Sequence, residues 1–243
     1  MRNDLLSSTT SLRRRLQQSA NSQIQRIVHF LGYYALLKRP GARVIRFAGF
    51  DLIIRPTVYD PRYYRAPEYF AEFIGGLDLS GKTVADVCTG SGIQALAAAR
   101  AGATNVLAID VNPNASVTAA DNARMNGFED RVFVVTSNLL SAIAPRPQFD
   151  VILANPPFCD GRAWDIADRA WRAGRRYRDI APLFNQALER LAPNGVMYLI
   201  MSSHSNLDLV SGLIRQAGLA VQIVGQRRVL FETIIIFALR PVS

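Results

Sequence analysis

The sequence predicts a doubly wound α/β fold, and three observations carry that expectation. From Lys82 onward, near-continuous apolar runs alternate with helical patterns. A glycine turn follows the first run, and an acid closes the second. The last two strand-like runs lie too close together for a helix to cross between them.

The runs TVADVC (83–88), NVLAID (105–110), RVFVV (131–135), FDVILA (149–154) and VMYLIM (196–201) are strands of the kind covered on both faces. A half-exposed strand would alternate apolar and polar residues, whereas a strand under helices on both sides does not. Helical stretches at 93–101, 114–126, 180–191 and 206–217 supply the crossovers. LAVQIV (219–224) and ETIIIFAL (232–239) are separated by seven residues, which predicts an antiparallel pair. The expected core is therefore a Rossmann-like, seven-stranded sheet with an antiparallel last strand.

Ahead of it, Ile24, Ile27, Val28 and Leu31 share one face at helical spacing, and Pro40-Gly41 stops a helix over about residues 10–38. ARVIRFAGFDLIIRP then reads as a β-hairpin around Ala48-Gly49. The expected division is a basic N-terminal helix and hairpin over 1–54, serving as a substrate-recognition lid, and a catalytic domain over 55–243.

Apolar residues form 49% of the 243, enough for a sizeable core. The net charge of +9 is concentrated in residues 1–50, which carry nine Arg/Lys against one acid, Asp4. Such a segment either faces a polyanion or is a solvated helix face. Cys88 and Cys159 are far apart, and His29 and His204 are the only histidines. That supply excludes a disulfide framework, a metal site and a Ser-His-Asp triad, and predicts a cytoplasmic protein. No apolar run reaches the roughly 20 residues of a membrane helix, so no membrane partner is expected.

VADVCTGSGIQALAAA (84–99) is strand, glycine turn and helix. Gly90 and Gly92 let backbone pass close beneath a ligand, and Asp86 and Thr89 flank the turn. A pyrophosphate-binding turn would show G-x-G-x-x-G; here an acid precedes the glycines and would repel phosphate. It favours a ligand with a cationic centre. Asp110, followed by Val111, ends the second strand, where a carboxylate accepts both hydroxyls of a ribose. A carboxylate for an ammonium, another for a ribose and no phosphate cradle point to S-adenosyl-L-methionine.

The fourth strand stops on Asn155-Pro156-Pro157-Phe158. A planar amide or aryl amine is a poor nucleophile, because its nitrogen lone pair is delocalised. Two acceptors that hold its N–H bonds leave the developing lone pair directed at an incoming methyl group. The Asn155 side chain and the Pro156 carbonyl supply those acceptors, with the prolines fixing the backbone. Phe158 offers a flat face for stacking. Residues 161–179 then interleave six arginines with Trp164, Trp171 and Tyr177. This stretch is either a substrate-facing lid or a surface helix with Asp165–Arg169 and Asp168–Arg172 pairs at i,i+4 spacing.

These motifs resemble the class I S-adenosylmethionine-dependent methyltransferases over about residues 55–243. The nearest resemblance is to the HemK-type Asn-Pro-Pro-(Tyr/Phe) amino-methyltransferases, in their short eukaryotic and archaeal branch. Val58-Tyr59-Asp60-Pro61, Ala170-Trp171 with Gly174, and Arg227 with Glu232-Thr233 all resemble segments of that family. The likeness implies catalytic Asn155, Pro156 and Phe158. It implies cofactor contacts at Asp86, Thr89, Gly90, Gly92, Asp110, Val111, Asn138 and Asn155. Tyr59, Trp164, Trp171, Arg175 and Arg176 are the expected substrate contacts. Three departures stand out: Asn138 where the family has an acid, Phe158 for its tyrosine, and Gly174-Arg175-Arg176 for its Gly-Asp/Asn-Gly.

The expected activity is N-methyl transfer to a planar NH2 group, a protein glutamine amide or an exocyclic base nitrogen of a nucleic acid. The alternatives are a small-molecule N-methyltransferase of specialised metabolism and a module that binds S-adenosylmethionine without turnover.

Overall fold

A computed structural model describes residues 33–34, 40–229 and 232–242. The helix expected over about residues 10–38, with its arginines and its Ile24–Leu31 face, lies outside the described residues apart from Tyr33 and Tyr34.

The hairpin is present. Strands β1 (Arg43–Phe47) and β2 (Phe50–Ile54) pair antiparallel around Ala48 and Gly49, at φ 50° and 79°. Two left-handed residues match the right-handed twist of the strands. Its apolar side chains, Ile45, Phe50, Leu52 and Ile54, join the main core.

Helix α1 (Arg65–Gly75) follows, which the sequence reading did not include. Pro67 in its first turn and the buried Phe70, Ala71 and Ile74 are the signals that identify it. The sheet is built from β3 (Thr83–Val87), β4 (Asn105–Asp110), β5 (Val132–Thr136), β6 (Phe149–Ala154), β7 (Leu191–Ser202), β8 (Leu219–Val229) and β9 (Glu232–Pro241). Its order is β5-β4-β3-β6-β7-β9-β8; β9 runs antiparallel to both neighbours, and the other pairings are parallel. The expected architecture is thus the observed one, although β8 and β9 are longer than read and pair antiparallel out to Val229 and Glu232.

Helices α2 (Ile93–Arg100), α3 (Pro113–Met125), α4 (Pro182–Arg190) and α5 (Leu207–Gln216) lie within two residues of their expected bounds. The core divides into two clusters, one holding α1, α2 and the hairpin, the other α4 and α5. No helix among the described residues is long and apolar enough to cross a membrane.

Topology then places the site. The chain runs from β3 outward through β4 to β5, then returns to β6 on the other side of β3. Ligands of open α/β sheets bind at such a reversal, beyond the carboxyl ends of the strands. Residues 88–92, 110–112 and 155–158 all leave the sheet there.

Candidate active site

A cleft opens at that end of the sheet. It is lined by the turn after β3 (Cys88–Ser91), the end of β4 (Asp110–Asn112), Ser137–Leu139 after β5 and Asn155–Phe158 after β6. Thr57–Tyr59 close it from the N-terminal side, and Ile166, Arg169, Ala170 and Arg172 from the arginine-rich loop. Its empty volume, counted to the open mouth, is about 1000 Å³.

The glycine turn is held from behind. Asp86 is fully buried, and its Oδ2 accepts from Thr89 Oγ1 at 2.5 Å and from the Ala95 backbone N–H at 3.0 Å. Burial pushes its carboxyl up to about 7, against the pull of those two donors. Asp86 does not line the cleft; it braces the turn and the start of α2. Gly92 likewise faces inward. It stands at φ 83°, and a Cβ there would lie 3.1 Å from Ala119 of α3, so this glycine serves helix packing. Gly90 does face the cleft, and a Cβ there would meet no protein atom within 4 Å.

Asp110, at the end of β4, is a carboxylate that borders the cleft. Its Oδ2 accepts from Gly90 N–H and its Oδ1 from Asn112 N–H, both at 2.9 Å. Each oxygen keeps a further lone pair for a ligand hydroxyl. Burial raises its pKa, while these hydrogen bonds and the Arg169 charge oppose the rise. Asn112 caps α3 and donates through Nδ2 to the Thr57 carbonyl at 2.9 Å, anchoring the Thr57–Tyr59 wall. The sequence reading passed over that role, although Asn112-Pro113 is a helix-start signal. Tyr59 stacks on Tyr64 with ring centroids 4.4 Å apart, giving the wall a flat aromatic face.

Beyond Phe158 the chain does not form the surface helix considered from its charge spacing. Cys159 N–H donates to the Trp171 carbonyl and Ala173 N–H to the Cys159 carbonyl, both at 2.9 Å, so residues 159–174 close on themselves. Two 3-10 turns, Asp168–Ala170 and Arg175–Tyr177, complete the loop. The expected Asp168–Arg172 pair forms, at 3.4 Å, around a fully buried Asp168.

Of the expected substrate contacts, Tyr59 lines the cleft. Trp171 is buried against Tyr33 and Ala167, and Trp164 sits edge-on to Tyr33. Arg175 and Arg176 are exposed, and the Arg176 N–H donates to Asp160 at 2.8 Å. None of these four lines the cleft; Arg169, Arg172 and Asp179 do. Charge spacing does not reveal which arginines of a folded loop turn inward. Tyr177 is buried and donates its phenol hydroxyl to the Phe158 carbonyl at 3.0 Å while accepting from Asn206 N–H at 2.8 Å. It ties the Asn-Pro-Pro-Phe turn to the start of α5.

Of the C-terminal residues in the resemblance, Arg227 pairs with Glu72 at 2.5 Å and lies 4.1 Å over the Tyr69 ring, linking β8 to α1. Glu232 accepts from the Ser202 hydroxyl. Among the described residues, no cluster of His, Cys, Asp and Glu could hold a metal ion.

The donor set fits a nucleoside sulfonium. A carboxylate with spare lone pairs borders a turn whose glycine opens onto empty space, and the Asn138 and Asn155 amides line the same cleft beyond β5 and β6. Comparisons with known proteins agree. The family profile described as ribosomal protein L11 methyltransferase (PrmA) matches residues 71–156. The chain is 27% identical over 198 residues to a provisionally named protein N5-glutamine methyltransferase of Methanocaldococcus jannaschii, covering 79% of this chain and 96% of that protein. It is 39% identical over 141 residues to a ribosomal protein L11 methyltransferase of Pelotomaculum thermopropionicum, covering 58% of this chain but only 39% of that one. Among solved structures, a ribosomal protein L11 methylase from Lactobacillus delbrueckii subsp. bulgaricus superposes with TM-score 0.58 at 22% identity, covering 78% of this chain and 84% of that one. The T. thermophilus 16S rRNA N2 G1207 methyltransferase superposes with TM-score 0.58 at 23% identity, covering 81% and 49%. These two superpositions share the fold. Motif, site and relatives converge on one conclusion: the chain is a class I S-adenosylmethionine-dependent methyltransferase.

Proposed function

We propose that this methyltransferase acts on a planar NH2 group, with the side-chain amide of a protein glutamine as the first candidate acceptor. The observation that carries this reading is the Asn155–Phe158 turn, which enters the cleft beside Gly90 and Asp110. S-adenosylmethionine, when bound, supplies an electrophilic methyl group on a sulfonium. The chain's part is to place an acceptor nitrogen against it. Asn155 Oδ1 and the Pro156 carbonyl accept the two N–H bonds of the acceptor, and Phe158 and Tyr59 offer flat faces to the group that bears it. Asp110 would take the ribose hydroxyls and Asn138 the adenine amine, with Thr89, Gly90 and Val111 lining the same cleft. The M. jannaschii relative, matched over nearly its whole length, supports glutamine as the acceptor.

A second reading, an exocyclic base nitrogen of a nucleic acid, is favoured by the outer face of the loop. There Arg162, Arg175 and Arg176 are exposed, as is Trp164. Arginines and an exposed aromatic suit a single strand, through phosphate contacts and base stacking. The hairpin does not enter either reading as a lid, because no residue of 43–54 lines the cleft.

The test is transfer of a tritiated methyl group into cell lysate, separated into protein, RNA, DNA and small molecules. Label in protein, released as N5-methylglutamine on digestion, supports the first reading. Label in RNA or DNA replaces it with the second. Label confined to small molecules overturns both.

A further inference from the structure

Arg169 reaches into the cleft from the loop, and its Nη2 donates to Asn138 Oδ1 at 3.4 Å. Both residues line the cleft, so this bond joins its arginine-rich loop to the segment that follows β5. We propose that Arg169 and Asn138 form a latch across the nucleoside end of the cleft, which the cofactor must open in order to bind.

The inference rests on the placement given above, with the ribose at Asp110 and the adenine amine at Asn138. The latch takes the same amide oxygen that the adenine amine would use. It also brings a positive charge towards Asp110, opposing the effect of that carboxylate's burial. A sulfonium nucleoside arriving beside Asp110 brings its own positive charge and makes the guanidinium redundant there. Arg169 is carried by a loop that closes on itself through the Cys159–Trp171 and Cys159–Ala173 hydrogen bonds.

The strength of the latch depends on Asn138 being neutral. A charge-assisted hydrogen bond normally spans about 2.7–2.9 Å, and this one is longer. A carboxylate at 138 would convert it into an ion pair within the cleft, hold Arg169 more tightly and resist the ligand. The geometry thus gives the amide a function: it accepts either donor without committing to the arginine.

A double-mutant cycle tests this, reading binding of S-adenosylmethionine and S-adenosylhomocysteine by calorimetry. Asn138→Asp should weaken binding about tenfold while Arg169 is present. In the Arg169→Ala background the same substitution should leave affinity unchanged or improve it. Arg169→Ala alone should bind no more weakly than the parent, and its gain should be larger for the cationic S-adenosylmethionine than for S-adenosylhomocysteine. Equal effects of Asn138→Asp in the two backgrounds, or tighter binding by Asn138→Asp with Arg169 intact, would overturn the latch. Asp110→Ala serves as the separate control. If it leaves both affinities unchanged, the cofactor placement fails, whatever the cycle shows. Thermal midpoints of all variants confirm that binding is read on folded protein.

Discussion

The two walls of the cleft are built in opposite ways. The wall formed by the ends of β3 and β4 is rigid by construction. Its carboxylates hold backbone N–H groups, its glycine turn is braced from inside, and parallel strands fix every origin. The wall formed by residues 158–180 has no strand or long helix of its own. It stands on backbone bonds between its own segments, side-chain-to-backbone bonds, an Asp168–Arg172 pair in which Asp168 is buried, and two consecutive left-handed residues, Arg176 and Tyr177, at φ 53° and 60°. Left-handed backbone is costly outside glycine, and a structure keeps it where surrounding contacts over-determine it. Here those contacts include the buried Tyr177 ring and its two hydrogen bonds. The first wall suits a ligand shared by many enzymes, and the second suits an acceptor peculiar to one.

If that division holds, substitutions on each wall should separate cofactor affinity from turnover. The largest effect is expected at Asn155. Asn155→Ala should lower turnover about a hundredfold or more, since it removes an acceptor that matters most in the transition state. Calorimetry on the same variant should find S-adenosylmethionine affinity nearly intact. Unchanged turnover would remove Asn155 from the reaction.

Asp110→Ala should show the converse pattern. Loss of a charged acceptor of two hydroxyls should weaken cofactor binding by roughly 2–3 kcal/mol. A variant that binds as well as the parent would end the contrast between the walls.

Tyr177→Phe keeps the ring and deletes the hydroxyl that bridges Phe158 and Asn206. Stability should fall by about 1 kcal/mol, because the Phe158 carbonyl and the Asn206 N–H, both in part-buried bonds, each lose a partner. Turnover should drop with little change in cofactor affinity, and denaturant melts with initial rates separate the two effects. The backbone strain can be tested on its own at the preceding residue: Arg176→Gly should stabilise the loop by less than about 1 kcal/mol, or leave it unchanged. A large destabilisation there would show that the arginine side chain, not the backbone, sets the loop's shape.

A pH series probes the rigid wall. Asp86 has its folded-state pKa raised to about 7 by burial, so the native state holds that proton more tightly than the unfolded chain. Its contribution to stability is complete below the ordinary carboxyl range, near pH 4, and is lost as pH rises through about 7. Thermal midpoints should therefore decline over that interval. Asp86→Asn should flatten the decline; an unchanged slope would place the titration elsewhere.

The same contrast decides what the sequence disclosed. Strands β3, β4 and β6 were legible because double-sided burial leaves continuous apolar runs, and their ends carry Asp110 and Asn155 directly. Asp86 and Gly92 were legible as members of a motif but not as inward-facing parts of it, since a motif does not state which way each side chain points. Helix α1 escaped notice because its start, Arg65-Ala66-Pro67, reads as a turn until Phe70 and Ile74 are counted together. On the loop, tryptophan and arginine content suggested contact with substrate. Trp171 instead supplies packing that holds the loop together, and the inward-facing positions fell to Arg169, Arg172 and Asp179. Their direction comes from the pairing of Cys159 with Trp171 and Ala173, a long-range event with no periodic signal.

The insertion of β9 between β7 and β8 has a consequence for synthesis. Strand β7 finds one neighbour, β6, early, but its other edge waits for residues 234–239, which are synthesised only after α5 and β8. Until then Met197–Ser202 offers an apolar strand with unpaired N–H and C=O groups, a template for joining another chain. Nascent or prematurely terminated chains that stop near residue 230 should therefore associate with one another, whereas a chain that includes β9 covers this edge itself. The last strand acts as an internal guard for the nascent chain, in addition to completing the sheet.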